Sequence, residues 1–158
     1  MAPLIRPYRA TDRAAAKLIY FRAIREGTVA VLNEAQRAAW APIDHPDFAT
    51  PDKLLDQWCW IAEENGVETG FMSLCPDGLL DMAFVIPEVM GKGTAAALYD
   101  TLLAKARAEG LPKLTVVASE FSRQFLLRRG WQIDKAGPEV HDGQTYHLTY
   151  LSLSLAAT

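Results

Sequence analysis

Cysteine is scarce in this 158-residue chain, and the two present, Cys59 and Cys75, stand alone inside apolar runs. Two isolated thiols supply neither a disulfide framework nor the paired spacing of a zinc site, so both are expected as reduced core residues. The three histidines, His45, His141 and His147, have no metal-ligand spacing either, and no metal is expected. Positive charge is not in excess: 16 Lys and Arg against 19 Asp and Glu leave a net −3, so no global field gathers nucleic acid or an anionic membrane. An anionic ligand would need a local site. No apolar run has the length of a membrane span or a signal-peptide core, and Arg6 and Arg9 interrupt the start, which predicts a cytoplasmic protein. Repeats, low-complexity tracts and Pro/Gly/Ser linkers are missing too. With 50% hydrophobic and 22% charged residues the composition is ordinarily globular, and the length suits one domain over residues 1–158.

What is present is punctuation. Residues 4–9 read as a short strand, after which Thr11 or Asp12 caps an Ala- and Leu-rich helix that stops before Gly27. Its apolar residues do not keep to one stripe, so its facing stays open. Asn33 with Gln36 three residues on has the form of a capping box, opening a second helix that Pro42 closes. Thr50 followed by Pro51 reads as the cap and first position of a third short helix toward Gln57. From Trp58 the pattern changes to strands, 58–64, 68–75 and 79–87, separated by Asn65-Gly66 and by Pro76-Asp77-Gly78. These make a three-strand antiparallel meander. Ala95, Leu98, Tyr99, Leu102 and Ala106 then recur at helical spacing before the stop signals Gly110 and Pro112. Residues 113–118 form a strand, Ser119 caps a helix that Gly130 ends, and Trp131 begins another strand. A last strand over about residues 144–155 alternates Leu151, Leu153 and Leu155 with Ser152 and Ser154. The class is α+β, built on a mixed, mostly antiparallel central sheet flanked by helices.

The chemically informative stretch is where a strand ends at Pro87 and a Gly-rich turn feeds the strongest helix. Free N–H groups in a first helical turn and the positive end of the helix dipole attract phosphate, and glycine lets it approach without a Cβ. Gly91, Gly93, Ala95 and Ala96 therefore suit a pyrophosphate; the plain alternative is a tight turn. Residues 91–96 also satisfy G-x-G-x-x-A, with Glu120 about one βα unit later, so a dinucleotide-binding enzyme competes. Hairpin-linked strands before the glycines argue against it. The NTPase phosphate loop fails outright, since Ile86 occupies its first glycine position and Gly93 its Ser or Thr.

Three segments together resemble the GNAT superfamily of acetyl-CoA-dependent N-acetyltransferases: Val85-Ile86-Pro87-Glu88, Met90-Gly91-Lys92-Gly93-Thr94-Ala95 against the family's R/Q-x-x-G-x-G/A, and residues 125–131 against its FYER-x-GF. Met90 stands where that pattern has Arg or Gln, and Leu126 where many members carry tyrosine. The resemblance implies acetyl-CoA as co-substrate, no metal, and direct attack by an amine acceptor in a ternary complex. It assigns donor binding to Phe84, Val85, Met90, Gly91, Lys92, Gly93, Thr94, Ala95, Ala96, Phe125, Leu126 and Arg128. A backbone N–H near Val85 would stabilise the oxyanion. Asp81, two turns of the strand period from Val85, is the first candidate base, its alternative being a solvated aspartate at a hairpin start. With Leu126 unable to donate a proton, water, Ser122 or Tyr146 is left as the acid. Glu34, Gln36, Trp40 and Trp60 lie in parts that would flank the acceptor, although core packing competes for each tryptophan. A homodimer stays open, as does a non-catalytic acyl-CoA sensor.

Overall fold

A computed structural model describes residues 2–42 and 52–156. Strand β1 (Leu4–Pro7) leads through a 3-10 turn at Ala10–Asp12 into α1 (Arg13–Arg25), followed by α2 (Glu34–Trp40). A second 3-10 turn, Lys53–Asp56, precedes the meander β2 (Trp58–Glu64), β3 (Val67–Leu74) and β4 (Leu80–Val85). After Pro87–Val89, another 3-10 turn, come α3 (Thr94–Ala108), β5 (Lys113–Ser119), α4 (Glu120–Leu127), β6 (Gln132–His141) and β7 (Gln144–Ser154).

The strands form two sheets, β1-β2-β3-β4 and β5-β7-β6, and every strand pair in both is antiparallel. The central sheet expected from sequence is thus split, and its parallel component shrinks to one bridge, Leu79 to Thr115, backed by the Thr115 N–H donating to the Gly78 carbonyl at 3.0 Å. Beyond that junction β4 and β5 diverge. Among the described residues β4-α3-β5 is the one parallel connection, held by that single bridge, so the series of parallel βαβ units that a dinucleotide fold needs is missing.

Helices cover both faces. On one side Ala16, Ile19, Tyr20, Ala23 and Ile24 of α1 are buried, a stripe at i, i+3, i+4, i+7 and i+8, against Ile61, Phe71 and Phe84. The stripe was illegible in sequence because Leu18, 58% exposed, and Phe21 place apolar residues off it. On the other side Leu98, Tyr99, Leu102 and Ala106 of α3 pack on Ala62, Met72 and Leu74. Fully burying one such aliphatic side chain is worth about 2 kcal/mol, so each stripe is what fixes its helix to the sheet.

Caps follow the sequence in part. Asn33 accepts from the Gln36 amide and Gln36 accepts from that of Asn33, both at 2.8 Å, completing the capping box. Thr50 and Pro51, the expected cap of the third helix, lie outside the described residues; there Asp52 accepts from the Leu54 N–H at 3.1 Å. Ser119 has N-cap backbone geometry but no side-chain cap bond. Arg6 joins β1, β2 and the start of α1, pairing with both oxygens of Asp12 at 2.8 Å and with Glu63 at 2.7 Å.

Candidate functional site

The turn into α3 is shaped by two left-handed residues, Gly91 (φ 75°) and Gly93 (φ 93°), the latter serving as the helix N-cap. Nothing stands within 4 Å of where a Cβ would project from either, so the space outside the turn is open to a ligand. The amides of Thr94, Ala95 and Ala96 begin the helix and have no intrahelical acceptor. Thr94 turns its hydroxyl inward: it is fully buried and donates to Glu64 at 3.2 Å, while Thr69 donates to the same carboxylate oxygen at 2.8 Å. Lys92 is exposed beside the loop. Met90 is half-buried, lines the cavity beside the loop, and has its methyl 2.2 Å from where a Cβ on Gly27 would lie.

Where β4 leaves β5, a cavity of about 460 Å³ opens. Its floor is β4 from Leu80 to Val85; β5 and α4 contribute Val116, Val117, Ser119, Ser122, Phe125 and Leu126, and α1 and α2 contribute Tyr20, Ala23, Ile24 and Trp40. The Ile86 N–H donates to the Thr69 carbonyl at 2.9 Å, so by antiparallel alternation the preceding N–H, that of Val85, faces away from β3 and into the gap. Asp81 is the residue skipped between the Ser73–Met82 and Leu74–Leu80 pairs, a bulge that breaks the two-residue period and carries its carboxylate to the cavity. Its Oδ2 accepts from Gln57 at 2.9 Å and pairs with Lys53 at 3.2 Å.

Of the residues singled out in the sequence, the cavity gathers Asp81, Phe84, Val85, Met90, Gly91, Ala95, Ser122, Phe125, Leu126 and Trp40. Gly93, Thr94, Ala96 and Lys92 belong to the loop beside it, and Arg128 is exposed at the end of α4. Four others lie elsewhere. Trp60 packs in the core on the α3 side of the sheet, and Glu34 sits in the exposed first turn of α2. The Gln36 side chain is spent on structure, its amide nitrogen donating to the Thr145 carbonyl at 2.7 Å. Tyr146 donates its proton to the Gln36 carbonyl at 2.8 Å, and burial pushes its pKa up. Sequence reasoning missed the α1 wall, Tyr20, Ala23 and Ile24, and also Tyr99, whose buried hydroxyl accepts from the Trp131 indole at 2.9 Å. Helical spacing marked Tyr99 as core; nothing local marked it as a cavity wall.

Among the described residues no cluster of His, Cys, Asp or Glu could hold a metal, and no helix is long and apolar enough to cross a membrane.

The comparisons with known proteins agree with this geometry. A family model described as an acetyltransferase (GNAT) domain matches residues 50–150. The Escherichia coli (strain K12) protein described as uncharacterized N-acetyltransferase YafP is 34% identical over 131 residues, 83% of this chain and 82% of its own. The crystal structure of a GCN5-related N-acetyltransferase from Rhodopseudomonas palustris has a TM-score of 0.89 at 32% identity, covering 98% of this chain and 97% of that one. The paia N-acetyltransferase of Thermoplasma acidophilum, solved with coenzyme A, shares the fold at a TM-score of 0.75 and 14% identity, over 98% of this chain and 99% of its own. A glycine-shaped helix start beside a split sheet, in a chain so related, has one reading: the chain belongs to the GNAT family and is an acetyl-CoA-dependent acetyltransferase.

Proposed function

We propose that this chain transfers the acetyl group of acetyl-CoA directly to an amine nitrogen in the cytoplasm, with donor and acceptor meeting in the one cavity beside β4. The observation that carries the reading is continuity: open glycine amides, a strand edge turned into a gap, and a carboxylate lie along a single cavity. The amides from Gly91 to Ala96 would hold the pyrophosphate, with Lys92 as an exposed point charge. The edge of β4 at Phe84 and Val85 would take the pantetheine arm as an added strand, with Phe125 and Leu126 covering it. Acetyl-CoA supplies the acyl group as an activated thioester.

The Val85 N–H favours negative charge developing next to it. Asp81 is suited to take the amine proton, because it lines the cavity and, among the described residues, both of its protein contacts fall on Oδ2. No dedicated acid is required, since a thiolate is a tolerable leaving group. Water ranks first as its proton source, Ser122 second, and Tyr146 last because its proton is already engaged.

Thiol release from acetyl-CoA in the presence of amines tests the reading. Asp81→Asn is expected to lower kcat/KM by about a hundredfold or more, the range of a positioned base, with acetyl-CoA affinity intact. Tyr146→Phe should cost less than about tenfold. Tighter binding of NADH than of acetyl-CoA in calorimetry would sink the assignment.

A further inference from the structure

The acceptor half of the cavity carries more information than its position. Its walls are Tyr20, Ala23 and Ile24 of α1, Trp40 at the end of α2, and Met82 and Phe84 of β4. The aromatic members brace one another edge to face: Tyr20 and Phe84 have ring centroids 4.8 Å apart at 69°, and Trp40 and Phe84 6.3 Å apart at 67°. The two backbone-directed hydroxyls here are also spoken for, Tyr20 donating to the Trp40 carbonyl at 3.2 Å and Thr28 to the Ile24 carbonyl. Among the described residues that line the whole cavity, Asp81 is the single ionised side chain, and Lys53 already balances it.

From this arrangement we infer that the acceptor is a monoamine with an uncharged, apolar body, aliphatic or aromatic, and not a polyamine, an amino acid or an aminoglycoside. The inference rests on the acetyltransferase reading and narrows it. One carboxylate oxygen can meet one amine nitrogen. A second ammonium or a carboxylate on the acceptor would be moved out of water against Ile24, Met82 and Phe84 with no partner among the described residues of the lining, whereas an alkyl or aryl body gains from the same transfer. Desolvation by these walls also disfavours the ammonium form, so it releases the nitrogen lone pair where Asp81 can receive the proton. In the reaction the nitrogen–acetyl bond forms as the carbon–sulfur bond breaks. The proton lost by nitrogen balances the one gained by sulfur, giving an N-acetylated amine and free CoA thiol.

The experiment is a thiol-release screen of the full chain with acetyl-CoA and hexylamine, phenethylamine, spermidine, lysine, glutamate and kanamycin, run beside calorimetry with acetyl-CoA alone. The expected result is a kcat/KM for hexylamine or phenethylamine at least about a hundredfold above that for any charged acceptor, the scale on which a site rejects groups it leaves unpaired. Trp40→Ala should raise KM for phenethylamine about tenfold at unchanged acetyl-CoA affinity, and Trp40→Phe should restore most of it. Equal or faster turnover of spermidine, lysine, glutamate or kanamycin overturns the inference, as does tight acetyl-CoA binding without turnover of either apolar amine. A chain that fails to bind acetyl-CoA overturns the transferase reading itself, so the two failures are distinguishable.

Discussion

Thr94 and Gly93 are neighbours with opposite duties. Thr94 spends its side chain inside the fold, on Glu64, while Gly93 presents backbone alone to the outside. Phosphate binding at this turn is therefore expected to depend on main-chain shape and not on the threonine hydroxyl. Gly93→Val forces a β-branched residue into φ 93°, a left-handed conformation that costs roughly 1–2 kcal/mol, and re-aims the amides that follow. Calorimetry should show acetyl-CoA affinity reduced at least about tenfold in Gly93→Val, whereas Thr94→Ser, which keeps the Glu64 contact, should bind as the parent does. The Met90 contact makes a second test at this scale. A methyl at Gly27 would lie 2.2 Å from the Met90 methyl, which can shift, and 2.4 Å from the Ala23 carbonyl, which is backbone and cannot easily do so. Gly27→Ala should accordingly lower stability by about 1–3 kcal/mol in urea unfolding, with the phosphate loop disturbed through Met90.

Elements show where sequence carries a fold and where it does not. Turns whose geometry restricts residue choice were legible: Asn65 and Gly66 both have positive φ, as a tight hairpin turn requires, and the Asn33–Gln36 box closes as its residue types imply. Less legible were features set by distant neighbours. The α1 stripe that walls the cavity is masked by exposed apolar residues, and β6 continues to His141 despite Gly137 and Pro138, because it is an edge strand paired on one side to β7. The bulge at Asp81 and the split between β4 and β5 likewise depend on how strands meet, which no local pattern records. The loop glycines, Trp40 and Phe84 were found from sequence; the α1 wall was not, since Tyr20, Ala23 and Ile24 look like any helix core. Electrostatics ties α1 to the sheet in a testable way. Arg6 holds the Asp12 carboxyl below its ordinary value, chiefly through their hydrogen bonds. A depressed carboxylate contributes stability that is complete above the unfolded value of about 4 and is lost as pH falls through the lower folded value. Arg6→Met should remove about 3 kcal/mol at neutral pH, as expected of a largely buried pair that loses one partner, and should flatten the loss of stability below about pH 5. Urea midpoints measured across pH check both.

At the scale of the whole molecule, the site exists because two sheets are joined at one end and apart at the other. The join is small: the Leu79–Thr115 bridge, with the Gly78 carbonyl accepting from the Thr115 N–H at 3.0 Å. Gly78 holds φ 100°, and a Cβ there would lie 2.5 Å from the Lys113 carbonyl oxygen, a backbone atom at the start of β5. Gly78→Ala therefore adds left-handed strain and also drives β5 away from β4 at the hinge of the gap. Gly66 supplies the control, because it has φ 77° in the β2–β3 hairpin but open space around its Cβ position. Both alanine variants should lose roughly 1–2 kcal/mol to backbone strain, read as a lowered Tm, with a further loss in Gly78→Ala from the clash. Only Gly78→Ala should also weaken acetyl-CoA binding, since only there does the damage reach the width of the cavity. Equal acetyl-CoA affinity in the two folded variants, measured by calorimetry, would show that the separation of β4 and β5 is set elsewhere than at this junction.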